Sequence, residues 1–218
     1  MSKNKLNTWD IENKFYLNSH PSRIKKIINH YEIFKKTSKV PGVIIECGVF
    51  KGNSISRFII FRDLLLNNSK KKVFGFDVFG KFPGQKILRD NKFAKNHDKN
   101  IGLGTKISLL NKVFKKKNFS NYKLIKGDIE KTLDLFLKKN DKIKISFLHL
   151  DLDVYRPTFF ALEKLYKKVS KGGVILLDDY GKVHGATKAT KDFFKEKNIK
   201  IKIESTKFDK KLKFIIKK

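Results

Sequence analysis

Acidic side chains follow two apolar runs of the chain, in positions where they could work together. In the first run His149, Asp151 and Asp153 alternate with leucines, so they share one side of an extended segment. In the second, Asp178 and Asp179 come directly after valine, isoleucine and two leucines. Clustered carboxylates repel one another unless protons or a cation compensate them, and all-oxygen ligand sets suit Mg²⁺, Mn²⁺ or Ca²⁺ better than zinc. The pattern predicts a divalent-cation site; the alternative is that Asp178 or Asp179 caps a turn and Asp153 is solvated.

A second group of residues has the pattern of a nucleotide-binding turn. Gly48 and Gly52 lie between an apolar strand and a helix, where glycine lets the backbone turn tightly and the helix N-terminus offers free N–H donors. Asp77 ends the next apolar run, where an acid commonly accepts hydrogen bonds from ribose hydroxyls. Asp128 and Ile129 follow a third run, where they could meet an adenine. These residues predict an adenosine-type cofactor; the alternatives are a plain strand-to-helix turn and, for Asp128, a helix N-cap.

The elements that must position these residues alternate between short apolar strands and helical stretches. Such alternation is typical of a parallel sheet covered on both faces, and ligands bind beyond the carboxyl ends of its strands. The sequence therefore predicts an α/β fold: a doubly wound, Rossmann-like, mostly parallel sheet with an antiparallel C-terminal hairpin. The predicted strands are 43–47, 72–77, 122–126, 143–151 and 174–178, the helices are 53–66, 130–138, 157–169 and 186–197, and the hairpin strands are 199–205 and 212–216.

Two segments lie outside this alternation. Residues 1–40 are expected to form an N-terminal arm or lid, polar over residues 1–18 and helical over residues 19–39, where Ile27, Tyr31 and Phe34 fall on one stripe. Residues 41–218 are expected to form the main domain. Residues 84–120 fit no clean element of that domain, and we interpret them as an insertion on the substrate side.

Composition bounds the class of protein. A chain of 218 residues with 40% hydrophobic and 12% aromatic residues suits one domain with a proper core and excludes a disordered chain. The single cysteine, Cys47, excludes an intrachain disulfide framework and a zinc site built on several cysteines. Because there is no apolar run of 18 residues and no signal-peptide core, the sequence predicts a soluble, cytoplasmic protein.

The net charge of +30 first suggests a polyanionic partner such as nucleic acid or an anionic membrane surface. The type of basic residue weakens that interpretation, because only five of the 51 are arginine, which carries the bidentate fork for phosphates and bases. Lysine, asparagine, isoleucine and phenylalanine are all abundant and share A/T-rich codons. We therefore interpret much of the charge as codon drift on a solvated surface, with the lysines of the 84–120 insertion as the place where a functional basic face would meet an acidic or phosphate-bearing substrate.

Four motifs together resemble one protein family. They are ECGVFKG at residues 46–52, GFDVF at 75–79, HLDLDVYRPT at 149–158 and GGVILLDDYG at 172–181. Their content and order resemble the macrocin O-methyltransferase (TylF-like) family of class I S-adenosylmethionine-dependent methyltransferases, many of which methylate sugar hydroxyls with Mg²⁺. The resemblance covers roughly residues 40–83 and 122–195.

The resemblance also implies roles for the residues at the strand ends. Those it implies for the cofactor are Glu46, Gly48 and Ser54 at the methionine end, Asp77 at the ribose, and Asp128 and Ile129 at the adenine. Those it implies for Mg²⁺ are Asp151, Asp178 and Asp179, with Asp151 also the candidate catalytic base. His149 on its own is interpreted as a buried histidine rather than a ligand.

The predicted function is that of an S-adenosylmethionine- and Mg²⁺-dependent O-methyltransferase acting on a hydroxyl of a sugar or a sugar-bearing small molecule. The expected partner is that hydroxyl acceptor, of which a nucleotide sugar is one form, and a homo-oligomer is left open. Neither nucleic acid nor a membrane span is expected. The alternative function is a basic nucleic-acid-binding or RNA-modifying protein on the same scaffold, which would explain the charge but leave the clustered acids without a role.

Overall fold

The computed structural model of the protein describes residues 7–66 and 71–218. The strands are β1 (Val43–Cys47), β2 (Val73–Asp77), β3 (Tyr122–Lys126), β4 (Ile145–Leu150), β5 (Val169–Leu177), β6 (Glu204–Ser205) and β7 (Lys213–Ile216). The helices are α1 (Thr8–Asn18), α2 (Ser22–Lys35), α3 (Asn53–Leu66), α4 (Leu88–Asn100), α5 (Ile107–Lys116), α6 (Ile129–Lys139), α7 (Tyr155–Leu165) and α8 (His184–Glu196). A 3₁₀ turn, Tyr166–Lys168, joins α7 to β5.

The strands form one sheet in the order β3-β2-β1-β4-β5-β7-β6. The first five are mutually parallel, and β7 and β6 run antiparallel beside β5. The predicted doubly wound, mostly parallel sheet with an antiparallel C-terminal hairpin is therefore confirmed. The direction of winding reverses between β1 and β4, so the crevice beyond their carboxyl ends is the expected ligand position in such a sheet.

The two faces of the sheet are packed by alternating side chains. In β1, Ile45 and Cys47 pack into the cluster formed with α6, α7 and α8, whereas Ile44 packs into the cluster formed with α2 and α3. Cys47 is fully buried, and burial raises the pKa of its thiol, so it is a core residue. Each large apolar side chain buried in this way contributes about 1.5–3 kcal/mol, and the two layers hold the strand ends in fixed register.

The interpretation of residues 84–120 as a stretch without clean elements is wrong, because the segment contains α4 and α5. In α5 the spacing of Ile107, Leu110 and Phe114 places all three on one face, which packs on the α3 side of the sheet. In α4 only Asp90 and Ala94 are buried, so this helix has no apolar stripe from which it could be predicted. The proposed role of the segment on the substrate side is a separate prediction.

Several element boundaries differ from those expected. The helix predicted at 157–169 begins earlier, at Tyr155, because Pro157 is tolerated in a first turn whose N–H groups have no helical partner. It also ends earlier, at Leu165, where the 3₁₀ turn follows. Strand β5 begins at Val169 instead of 174. The hairpin strand predicted at 199–205 is reduced to β6, although the isoleucines before it still pack against the core.

The N-terminal segment contains two helices where a polar arm and one helix were expected. Helix α1 starts with a capping box between Asn7 and Asp10 and buries none of its residues, while α2 packs on the sheet through Ile33 and Phe34. Residues 1–6 of the expected arm lie outside the described residues. None of the helices in the described ranges is both long and apolar enough to cross a membrane.

A buried arginine joins α3 to the strands behind it. Arg62 is fully buried, and its guanidinium donates to the backbone carbonyl oxygens of Lys71, Ser120 and Asn121 at 2.9–3.2 Å and to Asp63. These three carbonyls lie at the starts of β2 and β3, so a single side chain fixes α3 against the edge of the sheet.

We expect Arg62→Met to lower the free energy of unfolding by about 2–4 kcal/mol, because it removes the hydrogen bonds from a fully buried side chain that hold α3 to three backbone carbonyls. Urea unfolding followed by circular dichroism measures this loss. Arg89→Met is the matched control, since Arg89 is exposed on α4, and it should change stability by no more than about 0.5 kcal/mol. Equal losses in the two variants would contradict the role given to Arg62.

Candidate functional site

A cavity of about 1300 Å³ opens at the carboxyl ends of the five parallel strands. The predicted site residues on its wall are Gly48, Asp77, Asp128, Ile129, Asp151, Asp178 and Asp179. The opposite side of the wall comes from residues 80–101, which supply Phe82, Ile87 and His97. Residues far apart in the sequence therefore meet around one space, with polar strand ends on one side and a more apolar segment on the other.

The turn after β1 passes very close to the end of β4. Gly48 has a φ of +95°, and a Cβ added there would lie 1.7 Å from the backbone oxygen of Asp151. The N–H of Asp151 donates to the carbonyl of Cys47 at 2.9 Å. Only glycine fits this position, and the contact fixes the backbone of Asp151 relative to the glycine turn.

Asp77, at the end of β2, holds that same turn. Its Oδ2 accepts from the N–H groups of Val49 and Phe50 at 2.9 and 2.8 Å, and its Oδ1 accepts from Phe79 at 2.6 Å. A carboxylate has about four acceptor positions, so roughly one remains, on Oδ1. The side chain predicted to bind ribose is thus also a clamp on the loops that line the cavity.

Asp128 and Ile129 lie at the start of α6, on the cavity wall. Asp128 is exposed, and its Oδ1 accepts from the N–H of Glu130 at 3.0 Å, so it is the N-cap of α6. Ile129 is buried against the core. The N-cap alternative for Asp128 is confirmed, and the adenine contact stays a prediction.

Glu46 and Ser54 are buried behind the cavity instead of forming part of its wall. The hydroxyl of Ser54 donates to Oε1 of Glu46, and the same oxygen lies 3.0 Å from Nδ1 of His149. Glu46 is fully buried, and these two side chains are the polar partners of its Oε1. Neither side chain forms part of the cavity wall, so their contact with the methionine end of a cofactor stays a prediction.

Three carboxylates form a compact group on the wall, which we call the carboxylate trio: Asp151, Asp153 and Asp179. Their oxygens lie within 4.8 Å of one another, and Oδ2 of Asp179 accepts from the N–H of Asp153 at 3.0 Å. Burial and the charges of neighbouring carboxylates raise the pKa of Asp153 to about 7 and hold the pKa values of Asp151 and Asp179 well above their usual range. The trio thus brings mutually repelling carboxylates together as an all-oxygen donor set, which fits a divalent cation such as Mg²⁺.

Asp178 turns to a different set of side chains. Its Oδ2 accepts from Lys26 at 2.9 Å, and its Oδ1 lies 3.6 Å from His149 and 3.7 Å from His30. Burial alone would raise the pKa of Asp178, but the two histidines and Lys26 hold it well below its usual range. Among the described residues Asp178 therefore belongs to a mixed cluster beside the trio, and its predicted role as an Mg²⁺ ligand stays a prediction.

Lys26 and His30 are the site residues that the sequence reasoning missed. Both belong to α2, which the sequence separates from the ends of β4 and β5 by more than a hundred residues. One signal was present: His30 is spaced from Ile27 and Phe34 so that it falls on the apolar stripe of α2. A polar side chain in such a position is buried and requires a partner, which the end of β5 supplies.

Comparison with known proteins finds curated sequence relatives that are named as O-methyltransferases. Demethyldecarbamoylnovobiocin O-methyltransferase of Streptomyces niveus is 26% identical over 148 residues, which cover 66% of this chain and 54% of that protein. A 4'-O-methyltransferase of Streptomyces olivaceus, which acts on 8-demethyl-8-(2,3-dimethoxy-alpha-L-rhamnosyl)-tetracenomycin-C, is 27% identical over 148 residues, 65% of this chain and 54% of that protein. The chain spans about half the length of the curated relatives it matches.

Solved structures show the same fold. The calicheamicin methyltransferase CalS11 superposes with a TM-score of 0.77 at 20% identity, covering 99% of this chain and 87% of that chain. The O-methyltransferase NovP superposes with a TM-score of 0.76 at 22% identity, covering 89% and 80%. The family described as macrocin O-methyltransferase (TylF) matches residues 21–212, which include every element from α2 to the last turn before β7. The chain therefore belongs to the macrocin O-methyltransferase (TylF) family.

Proposed function

We propose that the protein is an S-adenosylmethionine-dependent O-methyltransferase that methylates a hydroxyl of a sugar or sugar-bearing small molecule with the help of a divalent cation. The observation that carries the proposal is the carboxylate trio on the wall of a cavity beyond the switch point of the sheet. Family membership supports methyl transfer, and two curated relatives are named for O-methylation of novobiocin-type and rhamnosyl-tetracenomycin compounds.

The cofactor half of the cavity would be formed by the ends of β1, β2 and β3. Gly48 brings the backbone close to this space, Asp77 offers its remaining acceptor position to a ribose hydroxyl, and Asp128 with Ile129 borders the adenine. A volume of about 1300 Å³ exceeds that of a typical single-ligand pocket. The cavity is therefore large enough for a cofactor and an acceptor together.

The cation half would be formed by the ends of β4 and β5. Asp151, Asp153 and Asp179 would hold the ion, because their clustered carboxylates repel one another and a bound cation would relieve that repulsion. When bound, such an ion lowers the pKa of a coordinated hydroxyl and orients it, while S-adenosylmethionine supplies the methyl group.

The chain's own residues position the acceptor and take its proton. Asp151 remains the candidate base, since its backbone is fixed against Gly48 and its carboxylate lies on the cavity wall. Residues 80–101 close the opposite side, with Phe82 and Ile87 displacing water from the acceptor. Holding both reactants in line supplies much of the acceleration.

We expect Asp151→Asn and Asp179→Asn to lower kcat by at least about 100-fold while the Kd for S-adenosylhomocysteine changes by less than about threefold. Steady-state kinetics with a novobiocin-type or nucleotide-sugar acceptor and calorimetry measure the two effects. Glu163→Gln is the matched control on an exposed helix position. EDTA should mimic the loss and Mg²⁺ should reverse it; full activity in EDTA would disprove the cation's role.

We expect Asp77→Ala to act first on cofactor binding, because it removes both the ribose acceptor and the clamp on the glycine turn. The Kd for S-adenosylhomocysteine, measured by calorimetry, should rise about 10- to 100-fold, the equivalent of one or two charge-assisted hydrogen bonds. The KM for the acceptor at saturating cofactor should stay near that of the wild type. A variant with unchanged cofactor affinity would contradict the role of Asp77.

We expect Asp153→Asn to stabilise the protein in EDTA, because it removes one of three mutually repelling carboxylates. Asparagine also tolerates the φ of +62° at this position. A gain of about 1 kcal/mol corresponds to a rise in Tm of about 2–4 °C for a chain of this size, measured by differential scanning fluorimetry. Saturating Mg²⁺ should reverse the order, since only the wild type would bind the ion fully; a lower Tm in EDTA would contradict the repulsion.

A further inference from the structure

A histidine of α4 lies on the cavity wall without a hydrogen-bond partner. His97 belongs to the last turn of the helix and to the wall opposite the strand ends. Its Nδ1 is buried and unpartnered, whereas its Nε2 is not among the buried atoms and makes no hydrogen bond with the described residues. Because the ring forms part of the wall, Nε2 is the nitrogen that a molecule in the cavity can reach.

Phenylalanine rings surround the rest of this imidazole. The centroid of the His97 ring lies 5.1 Å from that of Phe50, 5.6 Å from that of Phe82 and 6.1 Å from that of Phe93. Desolvation lowers the pKa of His97, so the ring is neutral at pH 7 and carries one proton. A buried N–H without an acceptor is rarer than a buried lone pair without a donor. We therefore assign the proton to Nε2, which makes His97 a hydrogen-bond donor toward the cavity.

Contacts near both ends of α4 hold His97 in this position. Near the first turn, the buried Asp90 accepts from the N–H of Tyr155, just beyond the end of β4, at 2.7 Å. Directly after the helix, the carbonyl of Ile101 accepts from the ammonium of Lys51, in the turn after β1, at 2.7 Å. The helix therefore crosses the cavity from the end of β4 to the glycine turn. An acceptor whose hydroxyl reaches the carboxylate trio would lie beneath it.

The chemistry of this part of the wall suits a sugar ring. Phe50 and Phe82 also line the cavity and present apolar surface, and His97 places a donor beside them. Ligand pockets commonly combine apolar and aromatic contacts with a few polar groups that fix the orientation of the ligand. A sugar ring offers the matching features, an apolar face of C–H groups and hydroxyl oxygens along its edge.

We propose that the Nε2–H of His97 donates to a hydroxyl oxygen of the acceptor's sugar, with Phe50 and Phe82 packed against the apolar face of the same ring. His97 is then a specificity-determining residue, because it selects acceptors that carry this hydroxyl in addition to the one that is methylated. The inference rests on the proposed function, since it concerns the acceptor of the methyl group.

The test compares the steady-state kinetics of the wild type, His97→Phe and His97→Gln at saturating S-adenosylmethionine. The acceptors are a novobiocin-type glycoside, a rhamnosyl-tetracenomycin and a nucleotide sugar. His97→Phe keeps a ring but loses the donor, so the KM for a methylated acceptor should rise about 10- to 100-fold. The value of kcat should change by less than about threefold, as expected for a contact made equally in the ground state and the transition state.

Two further variants separate the hydrogen bond from the shape of the side chain. The amide N–H of His97→Gln can replace the Nε2–H, so the KM of this variant should stay within about fivefold of the wild-type value. His184→Phe is the matched control at an exposed position on α8 and should leave KM unchanged. A KM for His97→Gln as high as that for His97→Phe would contradict the hydrogen bond.

Deoxy-sugar derivatives of the methylated acceptor identify the hydroxyl. Removing the hydroxyl that His97 binds should raise the wild-type KM about as much as His97→Phe does. The same derivative should cause no further rise in His97→Phe, because both changes remove one hydrogen bond. The proposal is overturned when every derivative raises KM by the same factor in both proteins.

Two measurements without turnover test other roles for His97. Calorimetry should give the same Kd for S-adenosylhomocysteine in the wild type and His97→Phe; a rise equal to that of the acceptor KM would assign His97 to the cofactor and overturn the proposal. The Tm of ligand-free His97→Phe should be unchanged or up to about 4 °C higher, because the unpartnered Nδ1 is gone. A lower Tm would make His97 a structural residue at the end of α4, which also contradicts the proposal.

Failure of this inference is distinct from failure of the proposed function. If the wild type methylates an acceptor and His97→Phe does so with the same KM, only the role of His97 is overturned. If the wild type methylates none of the three acceptors, the proposed function fails and the inference fails with it.

Discussion

The site depends on one steric constraint, the contact between the turn after β1 and the backbone at the end of β4. Gly48 lies so close to Asp151 that no side chain fits between them. The same contact joins the two proposed halves of the cavity, because the glycine turn would belong to the cofactor side and Asp151 to the cation side. A shift of either strand end would therefore move both sets of groups together, and the registry of β1 with β4 sets the distance between the proposed reactants.

Behind this contact lies a layer of buried polar side chains in an otherwise apolar sheet. Glu46, His149 and Asp178 come from three neighbouring strands, and His30 joins them from α2. Such a layer is costly unless every member is satisfied. Its position explains why a helix from the start of the chain is part of the site, since α2 covers these groups and supplies Lys26 and His30.

Most of the fold could be predicted from the local pattern of apolar and polar residues in the sequence. The order and type of the main strands, and the carboxylates at their ends, follow from alternation and from short apolar runs. The sheet and seven of the residues on the cavity wall could therefore be located from the sequence. Which carboxylates lie close together could not be predicted from the sequence. Alternation placed His149, Asp151 and Asp153 on one side, but β4 ends at Leu150 and Asp153 adopts a positive φ. Asp151 and Asp153 still meet in the trio, whereas the contacts of Asp178 with Lys26 and His30 are long-range and could not be predicted from local pattern.

The helix α4 adds a different consequence. Its His97 and Asp98 lie on the wall of the cavity. Of its thirteen residues only Asp90 and Ala94 are buried, and Asp90 accepts from the backbone N–H of Tyr155 at 2.7 Å. Most of its sequence is thus free of the constraints that packing places on the sheet. Mutations can accumulate there without unfolding the protein or disturbing the strand ends, so the shape of this part of the cavity wall can change while the carboxylates at the strand ends keep their positions.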